Sequence, residues 1–542
     1  MEYSESQNLK ALVIDDFATV RRSIKTMLSE LGFQRVIEAH DGESASRAVS
    51  QSDFDLILCD YNLGKGRNGL RLLEEWRHEK LINQSSVFVL ITGDTSKQVV
   101  VSALEYQPDD YLAKPFTMDV LIVRIRRWFE RRMVMLPILV QREANDWEAV
   151  ARSAMAVINK HPRYRTLAQK QYVEALMQSK RYDDAENFLH GLLEKRAQGW
   201  AQVELNRIAI ERKQYAEAEA ALRKVILSEP NLTDAYDCLA VALGHLGKKE
   251  DQQQVIDQAV YLAPQNIDRL NRLIDIAVEN QDFTRSSQAL KELMTLSSGT
   301  MHESVELYQR YICSLMEEQE LTESKDRKRE INKEISAISH KMQHRYGRDT
   351  NVHLFNEAVT VRSSSEPDSL KFTPQLNDLF AETLANLEDI NGLTALMVAS
   401  TYYRADRFSD GDALVSRFSK LFEDEPSVLR NLTELQSEPV SLAIRQQAHS
   451  LNLKGIELYE SGEFGQAIEY FKKAMDLSPR HAGIILNFVQ SYMKLMQESG
   501  TNHLIVHKCR EFLDRLAYLP KEHDQYDRYK KLDKRLLKYQ EA

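Results

Sequence analysis

The chain has 542 residues, of which 43% are hydrophobic and 28% charged, and a formal net charge of −10. This composition fits several folded cores in water. The acidic balance argues against a nucleic-acid partner, whose phosphates favour basic proteins. No apolar run reaches the length of a membrane span, and the acidic start Met1-Glu2-Tyr3-Ser4-Glu5 is unlike a signal peptide, so a cytoplasmic protein without membrane insertion is expected. The cysteines Cys59, Cys238, Cys313 and Cys509 lie far apart with no paired spacing, which argues against zinc and against a disulfide framework.

The first apolar run, Ala11-Leu12-Val13-Ile14, ends in the acidic pair Asp15-Asp16. A second, Leu56-Ile57-Leu58-Cys59, ends in Asp60-Tyr61-Asn62. Short continuous apolar runs bounded by polar residues suit strands buried on both faces of a parallel sheet. Carboxylates at the C-terminal ends of such strands lie where open α/β sheets place their ligand crevice. Three carboxylates brought together repel one another unless a cation sits among them, and hard oxygens with room for water suit Mg²⁺. Val87-Phe88-Val89-Leu90-Ile91 then leads into Thr92-Gly93, and Tyr111-Leu112-Ala113 into Lys114-Pro115-Phe116. A hydroxyl and an ammonium are thereby delivered to the same sheet edge. In-line phosphoryl transfer needs an oxygen nucleophile, a metal and a cation for the equatorial oxygens, and Asp60, the acidic pair and Lys114 supply these.

This order of motifs resembles the receiver domain of two-component response regulators, and the opening LVIDDFATVRRSIKTMLSELGF looks like that of the chemotaxis member of the family. The resemblance implies a flavodoxin-like, doubly wound, five-stranded parallel sheet over roughly the first 125 residues. It implies Asp60 as phosphoacceptor, with Asp15, Asp16, Asp60 and the backbone carbonyl of Asn62 holding Mg²⁺. Thr92 would bond a phosphoryl oxygen, Lys114 would pair with the phosphoryl group, and Tyr111 would be the aromatic that changes rotamer. Pro115 would follow a cis peptide. The implied donors are a sensor histidine kinase or small acyl phosphates. One departure stands out: Gly64 occupies the position where the family commonly has proline, and Gly69 comes one residue late. The loop Gly64-Lys65-Gly66-Arg67-Asn68-Gly69 is therefore expected to be longer and looser.

Arg124, Arg126, Arg127, Arg131 and Arg132 fall on the expected last helix of this domain. They read either as a solvated surface or domain contact, or as a face for an acidic partner. A helical connector follows over residues 131–163.

Beyond it the chain repeats. Ala218-Glu219-Ala220-Ala221-Leu222 closes with Pro230, and the same arrangement closes at Pro264, with Ala240, Leu243, Ile256 and Ala259 as contact residues. Flanking units run from about Thr166 to Arg196 and from about Ile267 to Ser298. Near the C-terminus comes the clearest copy, SLNLKGIELYESGEFGQAIEYFKKAMDLSP. Gly455 there lets two helices touch, Ala467 and Ala474 are small contact positions, and Pro479 ends the second helix. The period of about thirty-four residues looks like that of the tetratricopeptide repeat, whose stacked helix pairs form an all-α solenoid with a concave groove for a protein partner. A weaker unit spans Gly392 to Pro426, with Gly411 where alanine is usual. Between the repeat halves, Glu317 to Arg348 is densely charged, with Ile331, Ile335, Ile338 and Met342 on one stripe. This stripe suits packing against the solenoid or a dimer-forming coil. Ser363-Ser364-Ser365-Glu366-Pro367 marks a loop or hinge. Phe512, Leu513, Leu516, Leu519, Leu532, Leu536 and Leu537 read as capping helices.

The expected organisation is a receiver over 1–130, the connector over 131–163, repeats over 164–300, a charged helical region and loop over 301–375, and repeats with caps over 376–542. No second catalytic set is present. Glu174-Ala175-Leu176 spells a phosphodiesterase signature but lies in a repeat helix, and P-loop, HExxH and GxSxG runs are absent. The sequence therefore points to a non-enzymatic response regulator that controls protein interactions through a repeat scaffold. Two alternatives stay open: an interceptor of phosphoryl groups within a relay, and a regulatory subunit of a separate signalling enzyme.

Overall fold

The computed structural model describes residues 9–64, 68–94, 96–363, 373–405, 407–438, 441–500, 503–517, 519 and 524–540. The acidic start at Met1 to Glu5, Lys65-Gly66-Arg67 of the glycine-rich loop, and Ser364 to Pro367 of the expected hinge lie outside the described residues. The described chain forms two compact units, the first ending at Glu303 and the second beginning at Ser304.

The first unit opens with the apolar runs as strands. They are β1 (Lys10–Ile14), β3 (Leu56–Asp60), β4 (Val87–Thr92) and β5 (Asp110–Ala113), joined by β2 (Arg35–Ala39) in the parallel order β2-β1-β3-β4-β5. Successive side chains of a strand face opposite ways, so continuous apolar runs require cover on both faces. That cover is present. Leu12, Ile14, Ile57, Cys59, Phe88 and Leu90 pack with residues of α2 (Gly42–Gln51), α3 (Gly69–His78) and α4 (Lys97–Glu105). Ala11, Val13, Leu56, Leu58, Val87, Val89 and Ile91 pack instead with α1 (Ala18–Glu30) and with Leu121, Trp128 and Phe129 of α5 (Met118–Glu143). The structure is thus the doubly wound sheet expected.

Helix α5 runs unbroken from Met118 to Glu143, with Pro137 inside it. Residue 130, the expected edge of the α/β domain, lies mid-helix. Leu121, Trp128 and Phe129 belong to the core beneath the sheet. Met135 and Ile138, two turns on, belong to another core with Val150 and Ala154 of α6 (Trp147–Lys160). One rod therefore serves two cores.

Helix pairs follow: α7 (Arg165–Gln178) with α8 (Tyr182–Leu193), α9 (Gly199–Glu211) with α10 (Tyr215–Ser228), α11 (Thr233–His245) with α12 (Lys249–Leu262), and α13 (Ile267–Glu279) with α14 (Phe283–Ser297). In each pair the first helix ends at a left-handed residue, Lys180, Lys213, Gly247 or Gln281, which turns the chain back at every repeat. Only Gly247 among these signals its conformation in the sequence. Ala218, Leu222, Ala240, Leu243, Ile256 and Ala259 are all buried, as the repeat pattern requires. Ala175, of the phosphodiesterase-like triplet, is a buried packing residue of α7.

The second unit is helical throughout its described residues. It contains α15 (Val305–Leu321), α16 (Lys325–Tyr346), α17 (Thr350–Ser363), α18 (Thr373–Ala385), α19 (Gly392–Arg404), α20 (Phe408–Leu421), α21 (Pro426–Ser437), α22 (Leu442–Glu460), α23 (Phe464–Leu477), α24 (Ala482–Ser499), α25 (His503–Asp514) and α26 (Tyr526–Gln540). The charged stretch is not one long rod, because α15 stops at Leu321 and α16 starts at Lys325. Ile331, Ile335, Ile338 and Met342 are buried within the unit, so the dimer-forming coil has no free stripe to use. At Gly455 an added Cβ would fall 2.6 Å from the Phe471 ring. Ala467 and Ala474 are fully buried beside it, and α23 stops at Leu477, just before Pro479. Phe512, Leu513, Leu516, Leu519, Leu532 and Leu536 close the core, whereas Leu537 remains exposed.

Candidate functional site

Register brings the polar strand ends together. Ile14 lies opposite Cys59, Asp60 opposite Ile91, and Thr92 opposite Ala113. Asp15, Asp60, Thr92 and Lys114 therefore occupy neighbouring strand ends on one edge of the sheet. The carboxylate oxygens of Asp15, Asp16 and Asp60 approach within 4.8 Å of one another. Lys114 Nζ lies 2.5 Å from Asp15 Oδ2 and 3.1 Å from Asp60 Oδ2. Its peptide bond to Pro115 is cis.

Asp15 and Asp60 are buried, Asp16 exposed. Phe17 N–H donates to Asp15 Oδ1 at 2.8 Å and fixes that carboxylate. Burial is the largest influence on Asp60; with the charges of Asp15 and Asp16 it holds the carboxyl above the ordinary aspartate range despite the nearby Lys114. Three hard-oxygen groups with one open, exposed side fit Mg²⁺ and the waters it retains. When bound, such an ion supplies charge neutralisation to phosphoryl oxygens.

The described residues that flank the cluster are held by close backbone contacts. Gly69 is obligatory where it stands, since a Cβ there would lie 2.4 Å from the Asp60 carbonyl oxygen. Gly69 N–H donates to the Tyr61 carbonyl at 3.0 Å, closing the loop that leaves Asp60. Gly64, at φ 78°, takes the left-handed conformation, and its N–H donates to Asn62 Oδ1 at 3.2 Å. On the other side, Thr92 Oγ1 accepts from Asp94 N–H at 2.9 Å, and Tyr111 Oη donates to the Asp94 carbonyl at 2.5 Å. Thr92 and Tyr111 are thus tied to one turn, just ahead of α4.

The family model of the response regulator receiver domain matches residues 11–126. Chemotaxis protein CheY-3 of Vibrio cholerae is 34% identical over 131 residues, covering 24% of this chain and 99% of that protein. The chain belongs to the response regulator family. Chemotaxis protein CheY of Pseudomonas aeruginosa is likewise 34% identical, over 23% of this chain and 98% of that protein. A solved Francisella response regulator receiver domain is 28% identical over 23% of this chain and 98% of its own, with a TM-score of 0.20. A tetratricopeptide repeat model matches residues 448–481. The response regulator is thus a CheY-like receiver fused to a repeat-containing helical region. Among its described residues no helix is long and apolar enough to cross a membrane.

The arginines of the receiver's last helix divide. Arg124 pairs with Asp110 at 2.6 Å, Arg131 donates to the Asp109 carbonyl at 2.6 Å, and Arg132 pairs with Asp109 in a buried contact. Arg126 and Arg127 alone of the five are exposed, so most of this basic cluster is held within the receiver itself, neither a free surface nor a contact with another domain. The repeat residues Gly455, Ala467, Ala474 and Pro479 belong to the second unit, whereas the carboxylates belong to the first. Sequence reasoning missed Arg71, Glu105 and Tyr106, which grip Gln265, Asn266 and Arg269 of the repeats. The one local signal was Asn266, which caps α13 by accepting from Arg269 N–H at 2.9 Å.

Proposed function

We propose that this response regulator accepts a phosphoryl group on Asp60 and passes the resulting change to protein partners through its repeats. The observation that carries the reading is Lys114 Nζ placed between Asp15 and Asp60 at the open edge of a three-carboxylate cluster. An Asp60 oxygen attacks phosphorus, an O–P bond forms, and the bond to the donor's imidazole or acyl oxygen breaks. Lys114 and Thr92 hold phosphoryl oxygens, while Asp15, Asp16, Asp60 and the Asn62 carbonyl hold Mg²⁺. Tyr111 then answers the movement of Thr92. A sensor histidine kinase or a small acyl phosphate is the proposed donor, and the cytoplasm, where such donors are found, is the proposed location. Phosphoryl acceptance is the chemistry proposed; residues 1–130 receive, and the repeats of 164–300 and 376–542 offer grooves to a protein partner.

Incubation of the full chain with acetyl phosphate and Mg²⁺, read by intact mass, tests the site. One added phosphoryl group that disappears in Asp60→Asn and on chelation supports it. Equal labelling of wild type and Asp60→Asn would remove Asp60 from the role.

A further inference from the structure

Arg528, on the last helix α26, is half-buried among neutral amides. Its Nη2 donates to Asn487 Oδ1 at 2.6 Å and to Gln490 Oε1 at 2.8 Å, both on α24. Its Nη1 reaches Gln525 Oε1 only across 3.5 Å. No carboxylate among the described residues pairs with it, whereas the buried Arg132, Arg269 and Arg362 each meet at least one. Burial holds the guanidinium below the ordinary arginine range, and amide dipoles replace its lost hydration less fully than a counter-charge would.

The two amides carry the arginine's polarity outward. Both turn their oxygens to Arg528, which leaves their N–H groups to donate elsewhere. Asn487 Nδ2 donates to Asn452 Oδ1 at 2.9 Å, and Gln490 Nε2 donates to Tyr459 Oη at 2.9 Å. Each relay therefore ends on α22 with an occupied acceptor and a spare donor, the Asn452 amide N–H and the Tyr459 O–H. A cation flanked by spare donors is matched to a carboxylate. The surroundings extend the match. Helix α26 has six basic and two acidic side chains, in a chain whose net charge is −10. Lys531 and Arg535 share Arg528's side of that helix, are exposed, and meet no carboxylate among the described residues.

We infer that this face of α22, α24 and α26 binds an acidic segment of a protein partner, with one carboxylate seated between Arg528, Asn452 and Tyr459 and the next ones along Lys531 and Arg535. The inference rests on the proposed role of the repeats in holding a partner and is independent of phosphorylation at Asp60. The two amide oxygens already on the guanidinium fix its fork in place, so an incoming carboxylate has little side-chain motion to arrest.

The full chain is titrated at low salt into fluorescein-labelled hexaglutamate, with hexaglutamine and hexalysine as companions, and anisotropy is read. Hexaglutamate is expected to bind the tightest, and Arg528→Met to weaken it about tenfold or more. Lys333→Ala, which removes one exposed charge from α16, is expected to leave it unchanged. Because Arg528→Met also cuts two internal bonds, Gln490→Glu is the second variant. It hands Arg528 an internal carboxylate, so it is expected to raise the thermal midpoint of the second unit while weakening hexaglutamate by a similar factor. Hexaglutamate binding that both variants leave unchanged, or that Lys333→Ala weakens equally, overturns the acidic-segment site. Tighter binding of hexalysine overturns it too but keeps the repeats as a docking surface, whereas binding of none of the three peptides counts against both. A single-stranded oligonucleotide held through Arg528 more tightly than hexaglutamate would assign the face to nucleic acid instead.

Discussion

Lys114→Met keeps most of the aliphatic stem and removes the ammonium, which leaves the buried Asp15 and Asp60 carboxylates facing each other and Asp16. At the separations of 2.5 and 3.1 Å, and at an effective dielectric near 20, each attraction is roughly 5–7 kcal/mol before desolvation is counted. The net loss on removing one partner of a buried pair is about 3–5 kcal/mol. In the absence of divalent ions the variant is therefore expected to unfold its first unit far more readily than wild type. The same deletion removes a positive charge from beside the cation site, so Mg²⁺ is expected to bind about tenfold more tightly, a gain of about 1.4 kcal/mol. Saturation at a hundred times Kd would return about 2.7 kcal/mol. All four tryptophans, Trp76, Trp128, Trp147 and Trp200, lie in the first unit. Urea unfolding followed by their fluorescence, in chelator and then in rising Mg²⁺, reports on that unit alone. Equal midpoints for variant and wild type in chelator, with the same response to Mg²⁺, would refute the electrostatic account of this site.

Asp109→Ala is expected to cost the first unit about 3–5 kcal/mol in the same assay, since it strands the buried Arg132 and removes the acceptor for Phe88 N–H. Gly455→Ala is expected to lower the thermal midpoint of the second unit, by an overpacking cost of about 1–3 kcal/mol that the better helix propensity of alanine only partly offsets. Gly191→Ala in α8, where a Cβ meets nothing within 4 Å, is expected to raise stability by about 0.5–1 kcal/mol; a loss there would contradict the packing described. The hydrogen bond from His481, 3.0 Å away, outweighs burial and holds the Glu438 carboxyl below the ordinary glutamate range. Its contribution is then complete above about pH 4.3 and is lost as the pH falls through the lowered folded value. His481→Asn, which can still cap α24, is expected to flatten the acid loss of amide protection in α24. An unchanged profile would exclude the pair.

The sheet was legible because burial on both faces leaves runs such as Leu56 to Cys59 with no polar interruption. β2 gave no such signal: Arg35-Val36-Ile37-Glu38-Ala39 is an edge strand, with only Ala39 fully buried. The carboxylate cluster was readable because each member closes an apolar run. The stripe on α16 was equally plain, but periodicity says only that one face is buried and leaves its cover open. The arginines of α5 were ambiguous for a similar reason, since the count of charges does not reveal that Arg124, Arg131 and Arg132 are spent on Asp109 and Asp110. Arg71 and Gln265 were out of reach, being 194 residues apart with no pattern linking them.

Because Leu121, Trp128, Met135 and Ile138 ride on the same uninterrupted helix, the input module cannot swivel freely at the junction. Twisting or tilting α5 beneath the sheet must be felt in the hydrophobic layer around α6, as torque travels along a shaft. Excising the first 130 residues as a stand-alone piece would cut that shaft and bare the stump, so the natural seam for dissecting this regulator lies beyond the helix rather than within it.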